Sequence, residues 1–185
     1  MPPAVDSTLD VVSWFIDRAM GDREYLQPQK LHRLLYLAQA YYAVAHYGRK
    51  LMPATFVADE FGPIEPTIFR LYVNGRPMVQ PRPMTEAVTH FLDSVWRRFG
   101  AHSAEHLARQ IKTHAPYAQA WRKAPRTEIT LDAMIEFYTA ARQPAAGAPP
   151  VTEVMRPRVM RAQDGQPVNV TKWMPPAVSK PTGRK

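Results

Sequence analysis

The stretch PQKLHRLLYLAQAYYAVAHYG, residues 28–48, decides the fold of this 185-residue chain. Pro28 suits the first position of a helix, where its missing N–H costs no hydrogen bond, and Gly48 suits a helix end. Between them, apolar side chains recur at helical spacing and cover nearly every face. A helix that is apolar almost all round is typical of the centre of a domain. The apolar positions are Leu31, Leu34, Leu35, Tyr36, Leu37, Ala38, Ala40, Tyr41, Tyr42, Val44 and Ala45.

Further helices are predicted on both sides of this segment. A helix over residues 9–20 has Ser7 or Thr8 as its cap and Gly21 at its end. The other predicted helices are a brief one over residues 66–72, one from Thr85 to near Gly100, one capped by Ser103, a short turn over residues 118–124 after an interruption at Pro116, and a last one over residues 131–142 capped by Thr130.

The segment between the central helix and residue 66 has a different pattern. Residues 56–58 favour extended structure, whereas Gly62 and Pro63 indicate a turn. No alternating run is long enough to predict a sheet. We therefore predict an all-α fold, a mainly helical single domain with a short extended segment near residues 54–61.

The composition changes after Arg142. Eight of the chain's 19 prolines lie between Pro144 and Pro181, which excludes a long helix there. We predict a helical domain over residues 1–143 and a Pro-rich basic tail over residues 144–185, extended or disordered unless bound to a partner. The tail has two apolar clusters, residues 151–160 and 168–174, and the second contains Trp173. Each cluster suits a groove or sheet edge of a partner, or docking on the chain's own domain.

The net charge of +8 is unevenly distributed. Residues 1–143 have 17 Lys and Arg against 14 Asp and Glu, whereas residues 144–185 have 7 against 2. The basic tail makes a nucleic-acid-binding regulator the main alternative function, recognisable by steeply salt-dependent DNA binding. Within the domain the candidate cations are the pairs at residues 97–98 and 122–123, near predicted helix ends, where the helix dipole favours cations in any case.

The chain has no cysteine, which removes disulfides, thiolate zinc sites and cysteine nucleophiles, and fits a reducing compartment. The first residues lack the basic patch and apolar run of a secretory signal. No stretch approaches the roughly 20 apolar residues of a membrane-spanning helix. We therefore expect a cytoplasmic protein with no membrane partner.

One catalytic pattern is present, the H-x-x-E-H arrangement of His102, Glu105 and His106, which occurs in a class of zinc peptidases. A third ligand would have to come from a downstream carboxylate at Glu128, Asp132 or Glu136. Those residues belong to another predicted element. Ser103 as a cap places His102 ahead of its helix, so we expect the cap to separate His102 from the helix face of His106. Zinc hydrolysis is thus a remote alternative, and we predict no enzyme activity, no metal and no cofactor.

Two blocks of sequence together resemble one family. KLHRLLYLAQ, residues 30–39, resembles the K-L-Q-K-L-L-Y-x-A-Q helix of the Panacea domain, formerly the phage-associated GepA-like or SocA-like group. ADEFGPIEPTIFR, residues 58–70, is similar to the family's A-x-x-(Y/F)-G-P-V-x-P-x-(V/I)-Y-x stretch. The chain departs at His32, where glutamine is usual, and at Arg33, where lysine is usual.

The resemblance continues to about residue 142. A third block contains Phe99, Gly100, Ser103, Leu107, Thr113, His114, Pro116 and Trp121, and residues 128–130 match the opening of the final helix. The segment from His102 to His106 is then the start of the third-block helix rather than a metal motif.

The resemblance implies an antitoxin that neutralises a cognate protein toxin by direct binding. At least one branch of the family delivers the toxin to the ClpXP protease, which makes ClpX a further expected partner. The predicted partner-binding residues, which either form the toxin-facing surface or support it from the core, are Lys30, Tyr36, Gln39, Phe61, Gly62 and Pro63. In the tail, Val170, Trp173 and Met174 are predicted to order on the toxin.

Overall fold

The computed structural model describes residues 1–73, 75, 80–140 and 148–155, together with the backbone of residues 160–161 and 167–168. The described helices are α1 (Thr8–Gly21), α2 (Pro28–Ala45), α3 (Pro66–Val73), α4 (Glu86–Phe99), α5 (Ala104–Thr113), α6 (Ala115–Lys123), α7 (Leu131–Ala140) and α8 (Val151–Val154). The described strands are β1 (Phe56–Asp59), β2 (Gly62–Ile64), β3 (Glu128–Ile129), β4 (Met160–Arg161) and β5 (Pro167–Val168). The predicted mainly helical fold is confirmed. No helix in the described ranges has the length and apolar character needed to cross a bilayer.

Helix α2 is the centre of the domain. Every residue from Lys30 to Ala43 is buried, and the helix contacts α1, α4, α5, α7, α8 and β2. Pro28 is at its first position, as predicted. After its end, Gly48 adopts φ +87° and its N–H donates to the Ala43 carbonyl at 2.8 Å, a bond that closes the last turn.

A small antiparallel sheet, with strand order β2-β1-β3, covers one part of α2. Strands β1 and β2 form a hairpin in which Val57 pairs with Ile64 and Asp59 with Gly62. The predicted turn is present but lies just before Gly62 and Pro63: the turn residues are Glu60 and Phe61, and Gly62 and Pro63 begin β2. Pro63 is tolerated there because β2 is an edge strand. The two-residue β3 and the short β2 have too little alternating pattern to be recognised in the sequence.

The predicted helix caps form at some positions and not at others. Ser7 and Ser103 cap α1 and α5 through their side chains, as expected. Thr85 is in the capping position of α4 but forms no side-chain cap bond. The predicted interruption between the two helices is present at His114, but α6 begins earlier than residue 118. It starts at Ala115 and holds Pro116 in its first turn, where the proline displaces no helical hydrogen bond.

The segment of residues 148–155 packs on the helical domain, although the sequence places it in the tail. Ala148 and Val154 are buried, and the Tyr41 hydroxyl donates to the Pro149 carbonyl at 2.8 Å. Glu153 forms a 3.2 Å ion pair with Arg98 of α4. The sequence left two interpretations for the cluster at residues 151–160, binding to a partner or docking on the chain's own domain. Residues 151–155 dock on the chain's own domain.

The Gln39 amide joins α2 to the extended chain that follows it. Its oxygen accepts from the backbone N–H groups of Leu51 and Met52, each at 3.1 Å, and its nitrogen donates to the Met52 carbonyl at 3.3 Å. The side chain is only 1% exposed. A single buried amide therefore satisfies three backbone groups that have no strand partner.

Replacing Gln39 with leucine, of similar size, should destabilise the fold by about 2–4 kcal/mol, because buried backbone groups lose their partners. Urea unfolding measures this difference. The matched control is Gln119→Leu on the exposed face of α6, which we expect to change stability by less than about 0.5 kcal/mol. Equal effects at the two positions would contradict the role assigned to Gln39.

Candidate functional site

Three of the predicted partner-binding residues are in the core. Lys30 is 5% exposed, and its ammonium donates to the Glu24 carboxylate and the Gly100 carbonyl. The same ammonium lies 5.6 Å from the centre of the Trp96 ring. The lysine therefore links the start of α2 to the end of α4, and its charge is paired within the domain.

Tyr36 and Gln39 are also buried. The Tyr36 ring packs edge-on against Phe56 and Tyr138, with centroid distances of 5.6 and 6.3 Å. Burial raises the pKa of its hydroxyl, which stays protonated. A surface position for Lys30, Tyr36 and Gln39 is wrong, since the helix that carries them is covered on all sides. These residues can support a binding surface but cannot form one.

The other predicted block does reach the surface. Phe61, at the tip of the β1–β2 hairpin, is 67% exposed, whereas Gly62 and Pro63 beside it are buried. Gly62 adopts φ +120°, and a Cβ there would lie 3.1 Å from the Arg33 guanidinium. The glycine is thus required for the hairpin to close over α2. The predicted tail residues Val170, Trp173 and Met174 lie outside the described residues.

A groove of about 800 Å³ opens beside Phe61. Four parts of the chain surround it: the loop and first turns of α2, the β1–β2 hairpin, helix α3, and one face of α5. Its apolar lining residues are Tyr25, Phe61, Ile64, Phe69, Tyr72, Val73, Ala104 and Ala108. This volume lies within the range of protein ligand pockets, roughly 300–1,000 Å³.

Several apolar side chains of the groove are unusually exposed. Tyr25 is 80% exposed, Val73 is 66% exposed and Phe69 is 42% exposed. Together with Phe61 they form a continuous candidate contact surface, because all four line the same groove. Exposed apolar residues that cluster around a concavity are typical of binding sites, whereas scattered ones are ordinary.

Arg33 lies at the base of the groove and is only 2% exposed. Its Nη1 donates to the Gln29 carbonyl at 2.7 Å and its Nη2 to the Phe61 carbonyl, while Nε has no hydrogen-bond partner within the described chain. Burial lowers the pKa of the guanidinium, and Asp59 and Glu105 oppose this shift from a distance. The Asp59 carboxylate is itself paired with Arg126 at 3.4 Å.

His32 lies beside Arg33 and is equally enclosed. Its Nδ1 accepts from the backbone N–H of Glu65 at 3.2 Å, and the Glu65 carboxylate accepts from the N–H of Ile68 at 2.6 Å. Burial lowers the pKa of His32 to about 4, so the ring is neutral near pH 7. Because Nδ1 is an acceptor, the neutral ring has its proton on Nε2, which is a donor. These bonds fix the start of α3 against α2.

Most of this groove was not predicted from the sequence. Phe61 was among the predicted contact residues, whereas His32, Arg33, Phe69 and the exposed face of α5 were not. A usable signal was present in α3, a short helix in which most residues are apolar although only Ile68 is buried. An isolated short helix that is apolar beyond its buried face indicates an exposed contact surface.

The two histidines of the H-x-x-E-H pattern are close together. Ser103 caps α5 as predicted, yet the rings of His102 and His106 stack with centroids 4.5 Å apart, so the expectation that the cap separates them is wrong. Burial lowers the pKa of His102. The candidate third ligands lie in other elements, Glu128 in β3 and the other two in α7. Across the described ranges, no three potential ligands cluster as a metal site would require.

The cations proposed for nucleic acid have mixed surroundings. Arg97 pairs with Asp93 at 3.2 Å, and Arg98 pairs with Glu153. Arg122 and Lys123 are exposed at the end of α6. The first two therefore have acidic partners within the domain, and the second two are solvated.

Comparisons with known proteins do not classify the chain. No family model matches its sequence, and neither the curated proteins nor the solved structures contain a significant match.

The buried neutral His32 predicts a specific loss of stability in acid. Its pKa is 6.5 in the unfolded chain and about 4 in the fold, so the unfolded state binds more protons between these values. The contribution of His32 is complete above pH 6.5 and falls by about 3 kcal/mol as the pH approaches 4. Urea unfolding at several pH values should show a shallower decline for His32→Asn than for wild type. His90→Asn, on α4 outside the groove, is the control, and wild-type behaviour of His32→Asn would contradict a neutral buried ring.

The His102–His106 pair predicts no stoichiometric zinc. Catalytic zinc sites use three protein ligands and structural sites four, and two stacked imidazoles supply only two. We expect metal analysis, after dialysis against zinc and then buffer, to find well below one zinc per chain. One zinc per chain, abolished by His106→Ala, would restore the hydrolase alternative.

Proposed function

We propose that this protein is an antitoxin that neutralises a cognate protein toxin by direct binding, with the groove as its binding surface. The observation that carries the proposal is the convergence of three separate blocks of sequence on one groove. The block at residues 30–39 contributes His32 and Arg33, the two positions at which it departs from the family pattern. The block at residues 58–70 contributes the hairpin and Phe69, and the third block contributes α5 through residues other than those that carry its resemblance. These are the blocks that resemble the Panacea domain.

The residues of these blocks are divided between the core and the surface, which supports the same proposal. Tyr36 and Gln39 are buried and stabilise the domain, whereas Phe61 and Phe69 lie on its surface. A rigid frame that presents aromatic side chains around a concavity suits protein binding, because full burial of one such side chain contributes roughly 1.5–3 kcal/mol. A few aromatic anchors commonly supply most of the affinity of an interface.

The proposal has two versions that differ in the fate of the toxin. In the first, the antitoxin occupies the toxin and blocks its active surface. In the second, it also delivers the toxin to ClpXP, as the resemblance implies for one branch. Both versions place the protein in the cytoplasm with its toxin.

Co-expression with the product of the neighbouring open reading frame tests this proposal. We expect the neighbour alone to arrest growth, the pair to restore it, and the two proteins to co-purify. Repeating the experiment in cells that lack ClpXP separates the two versions, because only delivery fails there.

The matched pair of variants is Phe69→Ser and Leu71→Ser. Both residues are on α3 and are 42% and 41% exposed, but only Phe69 lines the groove. We expect Phe69→Ser to lose most of the rescue and Leu71→Ser to keep it. A harmless neighbour that forms no complex would contradict the antitoxin proposal. Rescue by both variants would show that the groove is not the toxin-binding surface.

A further inference from the structure

The base of the groove carries positive charge and hydrogen-bond donors. The Arg33 guanidinium places a buried charge there, with its unpartnered Nε enclosed beneath Gly62 and out of reach from the groove, and the adjacent His32 ring is a neutral donor through Nε2. The first turn of α2 also lines the groove, and Gln27 in its capping position provides no side-chain bond. The N–H groups at a helix start carry a partial positive charge, and in α2 these belong to Gln29 and Lys30 because Pro28 has no N–H. Such a base is complementary to an acceptor that bears negative charge.

Apolar side chains lie on both sides of these donors. Arg33 bonds to the carbonyl of Phe61, which places the hairpin tip next to its guanidinium. The Phe69 ring centre is 6.3 Å from that of His32, on the α3 side. A segment that crosses the groove therefore meets an apolar wall, then the donors, and then a second apolar wall.

The exposed charges around the rim are balanced and do not change this conclusion. Lys112 donates to the Glu60 carbonyl at 2.9 Å, while Arg109 and Glu105 are exposed on α5. Exposed charges are screened by water and contribute little each. The buried Arg33 guanidinium is desolvated, so it favours a nearby negative charge more strongly than the exposed charges of the rim do.

The edge of the sheet does not offer the alternative of strand addition. Pro63 is in the middle of the edge strand β2 and has no N–H to donate to an added strand. A ligand of this groove must therefore be recognised through its side chains.

We infer that the groove recognises an internal protein segment that presents one Asp or Glu side chain between two large apolar side chains. The carboxylate lies above the buried charge of Arg33 and against the donors of His32 and the start of α2, and the apolar side chains pack against Phe61 on one side and Phe69 on the other. The inference rests on the proposed function, in that the toxin supplies this segment. A free chain terminus is not the ligand, because apolar walls continue beyond the donors on both sides.

Selection from a random-peptide display library against the full chain tests the inference directly. The peptides are displayed through their C-terminal ends, so that none has a free α-carboxyl group. We expect the enriched peptides to share an acidic residue with a large apolar residue within three positions on each side. Replacing that acid with its amide should weaken binding at least about tenfold, measured by fluorescence anisotropy.

Two matched pairs of variants locate the binding site on the protein. Phe69→Ser should weaken the selected peptides at least about tenfold, whereas Leu71→Ser should change their affinity by less than about twofold. Arg109→Glu, on the groove rim, should weaken them more than Arg122→Glu, an exposed arginine on α6. All four positions are exposed, so the fold is expected to persist, and thermal unfolding checks this.

Failure of the inference can be told apart from failure of the antitoxin proposal. No enrichment, enriched peptides without an acid, or equal binding to Phe69→Ser and wild type would overturn the inference. If the selected peptides fail to compete with the toxin for binding to this protein, the inference is overturned. The antitoxin proposal would remain intact. If the neighbouring gene product is harmless but the selected peptides depend on their acidic residue, the partner of the groove is not a toxin. The inferred specificity of the groove would then still hold.

Discussion

The structure depends on one constraint, the burial of α2 on every side. A helix in that position has to satisfy each of its polar side chains inside the domain, because water does not reach them. Each such side chain bonds to a different part of the chain: Lys30 to the end of α4, His32 to the start of α3, Arg33 to the hairpin, and Gln39 to the segment after the helix. The polar residues of the central helix thus position the elements around it, and the apolar residues supply most of the burial.

Aromatic packing completes the same arrangement at the other face of α2. Tyr36 and Tyr41 both contact Tyr138 of α7, whose hydroxyl lies 2.9 Å from His114 Nδ1. Tyr41 also reaches Phe99 of α4 and the carbonyl of Pro149. Because these rings interdigitate, α7 and residues 148–155 are held against the same helix that forms the groove on its opposite end. Close packing of this kind resists deformation, so this end of the domain supports α2 firmly.

The groove is where the covering of α2 ends in exposed side chains. Arg33 bonds to the hairpin through Nη2 and to the Gln29 carbonyl of α2 through Nη1, its Nε has no partner in the described structure, and the aromatic residues that meet there remain exposed. The Tyr36 hydroxyl and Arg98 Nε also lack a partner in the described structure, and Tyr47 is exposed outside the groove, but in the groove a buried charge and several exposed aromatic side chains occur together. Local departures of this kind from complete satisfaction and burial are typical of functional sites. The antitoxin proposal and the acidic, apolar segment inferred for the groove both start from this departure.

The sequence by itself determined the central helix, the surrounding helices and the extended segment at residues 56–58. Periodicity and end signals such as Pro28, Ser7 and Ser103 are local properties, so they can be recognised without the fold. It did not determine β2 or β3, since two or three residues contain no usable alternation, nor the start of α6. Only the tertiary structure showed that Lys30, Tyr36 and Gln39 are buried while Phe61 and Phe69 are exposed beside His32 and Arg33. Helix spacing shows which residues share a face, but the neighbours that cover that face come from distant parts of the chain.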